Sequence, residues 1–222
     1  MKKVYIYSGF ERFWHWAQAV LVIFLGFTGF EIHGSIKFFG FENAVQFHII
    51  AAYLFIVLII FAVFWHFVTG EWRQYIPTMV NLRKQIEYYV TGIFRNAPHP
   101  TRRTQLSKLN PLQRLVYFGL KIVVFPVMVG TGLLYLTYRF PQDVSMKAAE
   151  VGGLETIAII HTLGAFVLVA FVIMHVYLIS TGSTLPAHLF AMITGYEELE
   201  EEEEDNVATQ KENIQQAANA LE

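Results

Sequence analysis

The sequence contains no cysteine. That excludes disulfides, iron–sulfur clusters held by thiolates and haem attached through thioether bonds, so any redox cofactor must be held by other side chains. Carboxylates are missing from the middle of every long apolar run, and no internal repeat of the kind that marks many transporters is evident. A small transporter is therefore a poor fit. What the chain does have is apolar length: 55% of its 222 residues are hydrophobic, mean hydropathy is +0.42, and the apolar residues lie in runs rather than at amphipathic spacing. This is the composition of a membrane protein.

Four runs, at about 13–32, 44–68, 115–137 and 155–179, reach the roughly 20 residues needed to cross a hydrocarbon core of about 30 Å as helices. The expected fold class is an all-α membrane protein, a four-transmembrane-helix bundle occupying residues 1–185, with a cytoplasmic acidic tail over 186–222. The first run is too long for a leader's apolar region, carries His15, Gln18 and Glu31 and lacks a small-residue cleavage site, so it reads as a retained helix. Basic residues set the expected orientation. Lys2, Lys3 and Arg12 precede the first span, and Arg73, Arg83, Lys84, Arg95, Arg102, Arg103, Lys108 and Arg114 lie between the second and third. The other two connections hold only Lys37, and Arg139 with Lys147. Both termini are expected in the cytoplasm.

Between the second and third spans, residues 78–94 mix Leu, Ile, Tyr and Phe with Arg, Lys and Glu, the pattern of a helix lying on a membrane surface. Residues 96–110, with Pro98 and Pro100, read as a loop. The acidic run from Glu197 to Asp205 and the Gln/Asn/Ala-rich end read as a solvated tail.

Five of the 8 histidines, His15, His48, His66, His161 and His175, fall within the predicted spans. An ionisable residue in a spanning helix is costly, and five of them sorted by depth point to a site. His161 and His175 are 14 residues apart on one helix, so they differ by about 40° in direction and about 21 Å in height. They face one side at two depths. In the expected orientation His161 and His48 meet in a periplasmic layer, and His175 shares the cytoplasmic layer with His15 and His66. Two imidazoles from facing helices are what bis-histidine ligation of a haem iron needs. Ala51, Ala52, Gly164 and Ala165 offer room for a flat macrocycle, although small residues also serve ordinary helix contacts. A zinc or copper site would gather its ligands at one depth, which these histidines do not do. Lys121 can snorkel toward the cytoplasmic face. His33, His99 and His188 fall in loops or at helix ends.

The opening Arg12-Phe13-Trp14-His15-Trp16, His48 at the start of the second span and the His161/His175 spacing resemble the di-haem cytochrome b family. Its members are membrane subunits of nickel-iron hydrogenases, formate dehydrogenases and thiosulfate reductase type complexes. The likeness covers about residues 8–182, and 64–77, with Trp65, His66, Gly70, Glu71 and Trp72, looks most like the thiosulfate reductase branch. The resemblance implies two haem b groups, held by His48 with His161 and by His15 with His175. His66 lies 18 residues after His48 and points the same way, so it stays open as an alternative to His15, or as a contact to a haem propionate or a quinone. Also implied is a quinone, menaquinone or ubiquinone, beside the cytoplasmic haem, with Asn110 and Gln113 as candidate contacts. A plainer reading makes Asn110 the cap of the third span, with Pro111 its first helical residue.

The resemblance further implies a chain of the bacterial inner membrane that passes electrons between the quinone pool and a periplasmic iron–sulfur or multihaem cytochrome c subunit, itself joined to a catalytic subunit. Substrate chemistry would belong to that partner. Membrane lipid is the other partner expected, and nucleic acid is not one. A haem-free membrane anchor with the same fold is the remaining alternative.

Overall fold

In the computed structural model, residues 2–95, 97, 100–101, 108–139, 153–179 and 187–199 are described. His99, most of the expected 96–110 loop and most of the acidic run lie outside them. The elements in order are β1 (Lys2–Tyr5), α1 (Gly9–Ile32), α2 (Phe41–Thr69), α3 (Leu82–Glu87), α4 (Pro111–Gly119), α5 (Phe125–Arg139), α6 (Gly153–Ile179), α7 (Ala187–Thr194) and β2 (Tyr196–Leu199). A π turn, Leu120–Val124, joins α4 to α5, so that Pro111–Thr137 forms one span. The fold is all-α, with four helices long and apolar enough to cross a membrane.

Local chemistry explains the ends of these helices. Ser8 and Glu11 form a reciprocal capping box at the start of α1: the Ser8 N–H donates to Glu11 Oε2 at 2.7 Å and the Glu11 N–H to Ser8 Oγ at 3.3 Å. At α4 the Gln113 N–H donates to Asn110 Oδ1 at 2.9 Å and the Asn110 N–H to Gln113 Oε1 at 3.0 Å. Gly70, at φ 76°, closes α2 in the left-handed conformation. The π turn sits directly before Pro126, which has no N–H to give residue 122 and whose ring crowds that carbonyl. One extra residue in the turn relieves the conflict.

The described chain divides into two compact units. The larger comprises residues 13–72 and 116–177 and holds most of the four spans. Side-chain contacts give the order of helices around it. Trp14 of α1 meets His66 of α2, Phe55 of α2 meets Phe125 of α5, Tyr135 of α5 meets His161 of α6, and Phe166 of α6 meets Phe30 of α1. The α1–α2 loop is clamped by Glu31, whose buried Oε1 accepts the N–H groups of Phe38, Phe39 and Gly40 at 2.7, 2.7 and 2.8 Å. No more than 22% of any span's most apolar window is buried. Most of the apolar surface thus faces outward and needs lipid around it.

The smaller unit comprises residues 1–12, 73–115 and 178–222. In it β1 and β2 pair antiparallel, with Val4 opposite Glu197, so the start of the acidic run is a strand; its remainder from 200 onward is outside the described residues. Gly195, at φ 88°, turns the chain from α7 into β2, and its carbonyl accepts from Ile6 and Tyr7. Arg12 donates to the Ile193 carbonyl at 2.6 Å, and Lys108 pairs with Glu11 at 2.7 Å. The 78–94 stretch is helical from Leu82 onward, continuing through a π turn at Tyr88–Gly92 and a 3-10 turn at Ile93–Arg95.

Candidate functional site

All five span histidines lie in the larger unit. His48 of α2 and His161 of α6 face each other with ring centroids 6.3 Å apart and planes at 66°. His15 of α1 and His175 of α6 do the same at 6.2 Å and 51°. A metal–imidazole bond is about 2.0–2.1 Å and a ring nitrogen lies about 1.1 Å from its own centroid, so two imidazoles on opposite sides of one metal have centroids about 6.3 Å apart. Both pairs fit that gap. His161 and His175 share the unbroken helix α6, which separates the layers by about 21 Å along its axis.

The His48/His161 layer draws one residue from each helix. Thr28 of α1, fully buried, has its Oγ1 2.9 Å from His48 Nδ1, and Thr131 of α5 has its Oγ1 2.8 Å from His161 Nδ1. Each threonine is followed by a glycine. A Cβ at Gly29 would lie 3.7 Å from His48 Cε1, and one at Gly132 3.5 Å from His161 Cε1. Both are ordinary contact distances, so a Cβ would fit against either ring and a larger side chain would crowd it. Gly164 has another role, since a Cβ there would lie 2.5 Å from Met128 Sδ, so it admits Met128 of α5. Ala51 is buried.

The His15/His175 layer is built from aromatic rings. His175 stacks on Phe171 at 5.5 Å and meets Tyr117 at 6.4 Å. His15 meets Trp16 edge-on at 5.3 Å. The Nδ1 of His15 is buried and has no hydrogen-bond partner among the described residues. A buried imidazole nitrogen in that state is costly unless another group satisfies it.

His66 differs from the other four. It is buried, its Nδ1–H donates to the Ala62 carbonyl at 2.5 Å, and its Nε2 accepts from Lys121 Nζ at 3.3 Å. Both ring nitrogens are engaged within the protein. The Lys121 ammonium also lies 4.9 Å from the centroid of the Trp14 ring, and the π turn before Pro126 carries it. Composition drew attention to His66 and Lys121 separately; their pairing depends on helix packing. Among the described residues, no three His, Cys, Asp or Glu side chains converge as a metal cluster. The histidines associate in twos.

Asn110 and Gln113 belong to the smaller unit. Beyond the capping box, Asn110 Nδ2 donates to Tyr89 Oη at 2.9 Å, and Asn110 is buried. Of the remaining histidines, His33 is exposed and contacts Thr162 Oγ1 through Nε2 at 3.2 Å. His188 lies on α7, 3.5 Å from Glu197.

Comparison with known proteins adds to this geometry. YdhU of Escherichia coli K12, named as a cytochrome, is 29% identical over 88% of this chain and 75% of its own length. YedZ1 of Azospira oryzae, named as a subunit of a protein-methionine-sulfoxide reductase, is 28% identical over 88% of this chain and 99% of its own. A B-type cytochrome subunit of a nickel-iron hydrogenase from Cupriavidus necator is 24% identical over 80% and 79%. No solved structure matches. Residues 6–195 match the family described as prokaryotic cytochrome b561.

Proposed function

The chain belongs to the prokaryotic cytochrome b561 family, and from that premise we propose that it carries two haem b groups and passes electrons across the bacterial inner membrane between the quinone pool and a periplasmic redox partner. The observation that carries the reading is the pair of histidine gaps, 6.3 Å for His48/His161 and 6.2 Å for His15/His175, each of the size in which two imidazoles would hold one haem iron. When bound there, haem supplies one-electron exchange between ferric and ferrous iron. The residues of the chain do the rest. His161 and His175 fix the spacing of the layers, and the apolar faces of the spans keep water away.

His66 acts in this reading through Lys121. Its Nε2 orients the ammonium, and Lys121 is the group that would meet a quinone oxygen or a propionate carboxylate. At the head of α4, Asn110 spends Oδ1 on the cap and Nδ2 on Tyr89, whereas among the described residues Gln113 spends only Oε1. The Gln113 amide NH₂ is therefore the better donor to a quinone carbonyl. The basic residues before the first span and between the second and third argue for cytoplasmic termini. The relatives named as reductase and hydrogenase subunits support a role as the membrane subunit of a larger oxidoreductase, with substrate chemistry on an iron–sulfur or multihaem cytochrome c partner and its catalytic subunit.

A pyridine haemochrome assay on the detergent-purified chain tests this. The expected result is about two haems per chain, one of them lost in His15→Ala and neither in His66→Ala. A well-folded parent without haem overturns the electron-transfer reading, and haem loss in His66→Ala alone moves the second ligand to α2.

A further inference from the structure

The threonines beside one histidine pair carry an inference about how that layer is tuned, resting on the haem reading above. A threonine hydroxyl has one proton and two lone pairs. Thr28 Oγ1 lies 2.9 Å from the Phe24 carbonyl and 3.2 Å from the Leu25 carbonyl, and Thr131 Oγ1 lies 2.6 Å from the Val127 carbonyl and 3.3 Å from the Met128 carbonyl. A carbonyl can only accept, so each hydroxyl proton is committed to its own helix backbone. At Nδ1, 2.9 and 2.8 Å away, the same oxygen then has only a lone pair to offer. Two lone pairs at that distance repel, so Nδ1 must carry the hydrogen. His48 and His161 are thereby held as Nδ1–H donors, and each is left with the lone pair on Nε2.

We propose that Thr28 and Thr131 are positioning residues that select the iron-ligating tautomer of His48 and His161 and lower the reduction potential of the haem those histidines hold. An imidazole that donates its outer N–H is a more basic ligand, and a more basic ligand favours ferric over ferrous iron. Among the described residues the His15/His175 layer has no such arrangement: Nδ1 of His15 is without a hydrogen-bond partner, and His175 is set against the rings of Phe171 and Tyr117. The two layers thus differ chemically through residues outside the ligand set. In both cases the threonine that orients the ring is followed by a glycine, Thr28-Gly29 and Thr131-Gly132, which lies beside the same ring. The four residues come from four helices, His48 and His161 on two of them and the threonines on the others.

Valine keeps the shape of threonine and removes the acceptor, so Thr28→Val, Thr131→Val and the double variant isolate the hydroxyls. Spectroelectrochemical titration of the detergent-purified chain reads both potentials, and a His15→Ala background reads the His48/His161 haem alone. If each hydroxyl accounts for about a tenfold preference for ferric iron, each valine raises that potential by about 59 mV for a one-electron couple. The double variant rises further, and serine at both positions restores the parent value. Should a valine variant lose one haem instead, its recovery with serine supports the assignment and failure to recover refutes it. Two haems with unchanged potentials in the double valine variant overturn the proposal and leave the two-haem reading standing. A parent without haem removes both.

Discussion

Asn110 is the residue for which a structural and a functional role compete most directly, and a substitution series separates them. Its side chain accepts from the Gln113 N–H at 2.9 Å and donates to Tyr89 Oη at 2.9 Å, in a buried setting. Asn110→Ala removes an N-cap worth about 1 kcal/mol and a neutral hydrogen bond worth about 1 kcal/mol, together about 2 kcal/mol. At about 2–4 °C per kcal/mol for a chain of this size, Tm falls by about 4–8 °C. Asn110→Ser keeps the cap but does not reach Tyr89, so it loses about half as much. Asn110→Asp keeps both, because the Tyr89 hydroxyl can donate to a carboxylate, and stays near the parent. Tyr89→Phe in the Asn110→Ala background adds little beyond the single changes. Thermal unfolding in detergent followed by circular dichroism checks the order. Quinol oxidation measured below the melting range should be the same for Asn110→Ser and the parent. An Asn110→Ala chain as stable as the parent, or a serine variant that melts normally yet loses quinone reactivity, refutes the reasoning.

Gly195→Ala should destabilise the β1–β2 pairing, because φ is 88° and the new Cβ would lie 2.7 Å from the Tyr7 carbonyl oxygen, which is backbone and cannot swing away; limited proteolysis near the N-terminus would detect the loosening. If each histidine pair holds one haem, as proposed, valine at Gly29 or Gly132 should displace the imidazole beside it and lower haem content from two per chain toward one, read by haemochrome, with the remaining haem on the His15/His175 pair. Glu31→Ala strands three backbone N–H groups of the α1–α2 loop and should lower thermal stability more than Glu31→Gln, since glutamine retains an acceptor without the charge. Equal melting of the two Glu31 variants would mean that the carboxylate contributes by packing alone.

The sequence by itself determined the solvent and the secondary structure. Apolar runs of spanning length can satisfy their backbone in lipid only as helices or closed barrels, and their continuous hydrophobicity suits helices; the four spans begin two to four residues before the expected positions and end within one residue of them. The extra residues at the starts of α1 and α4 belong to capping boxes. Of these, Asn110 with Pro111 was readable, and Ser8 with Glu11 follows the same four-residue signature. Histidine spacing on α6 was equally legible, because both residues lie on one straight element and its pitch fixes their directions.

Tertiary structure decided what depends on relations between helices. Which histidine meets which, and at 6.2 or 6.3 Å, follows from how α1, α2 and α6 pack. His66 has the same residue type as His15 and His175 and a similar expected depth, yet its nitrogens are taken by its own helix and by Lys121. The threonine acceptors were invisible for the same reason: a Thr-Gly dipeptide in an apolar run is ordinary until the partner helix brings an imidazole to it. A one-dimensional pattern specifies the direction a side chain takes from its own helix axis. What it finds there depends on the neighbouring helices, because packing side chains together across the bundle fixes their rotation and depth.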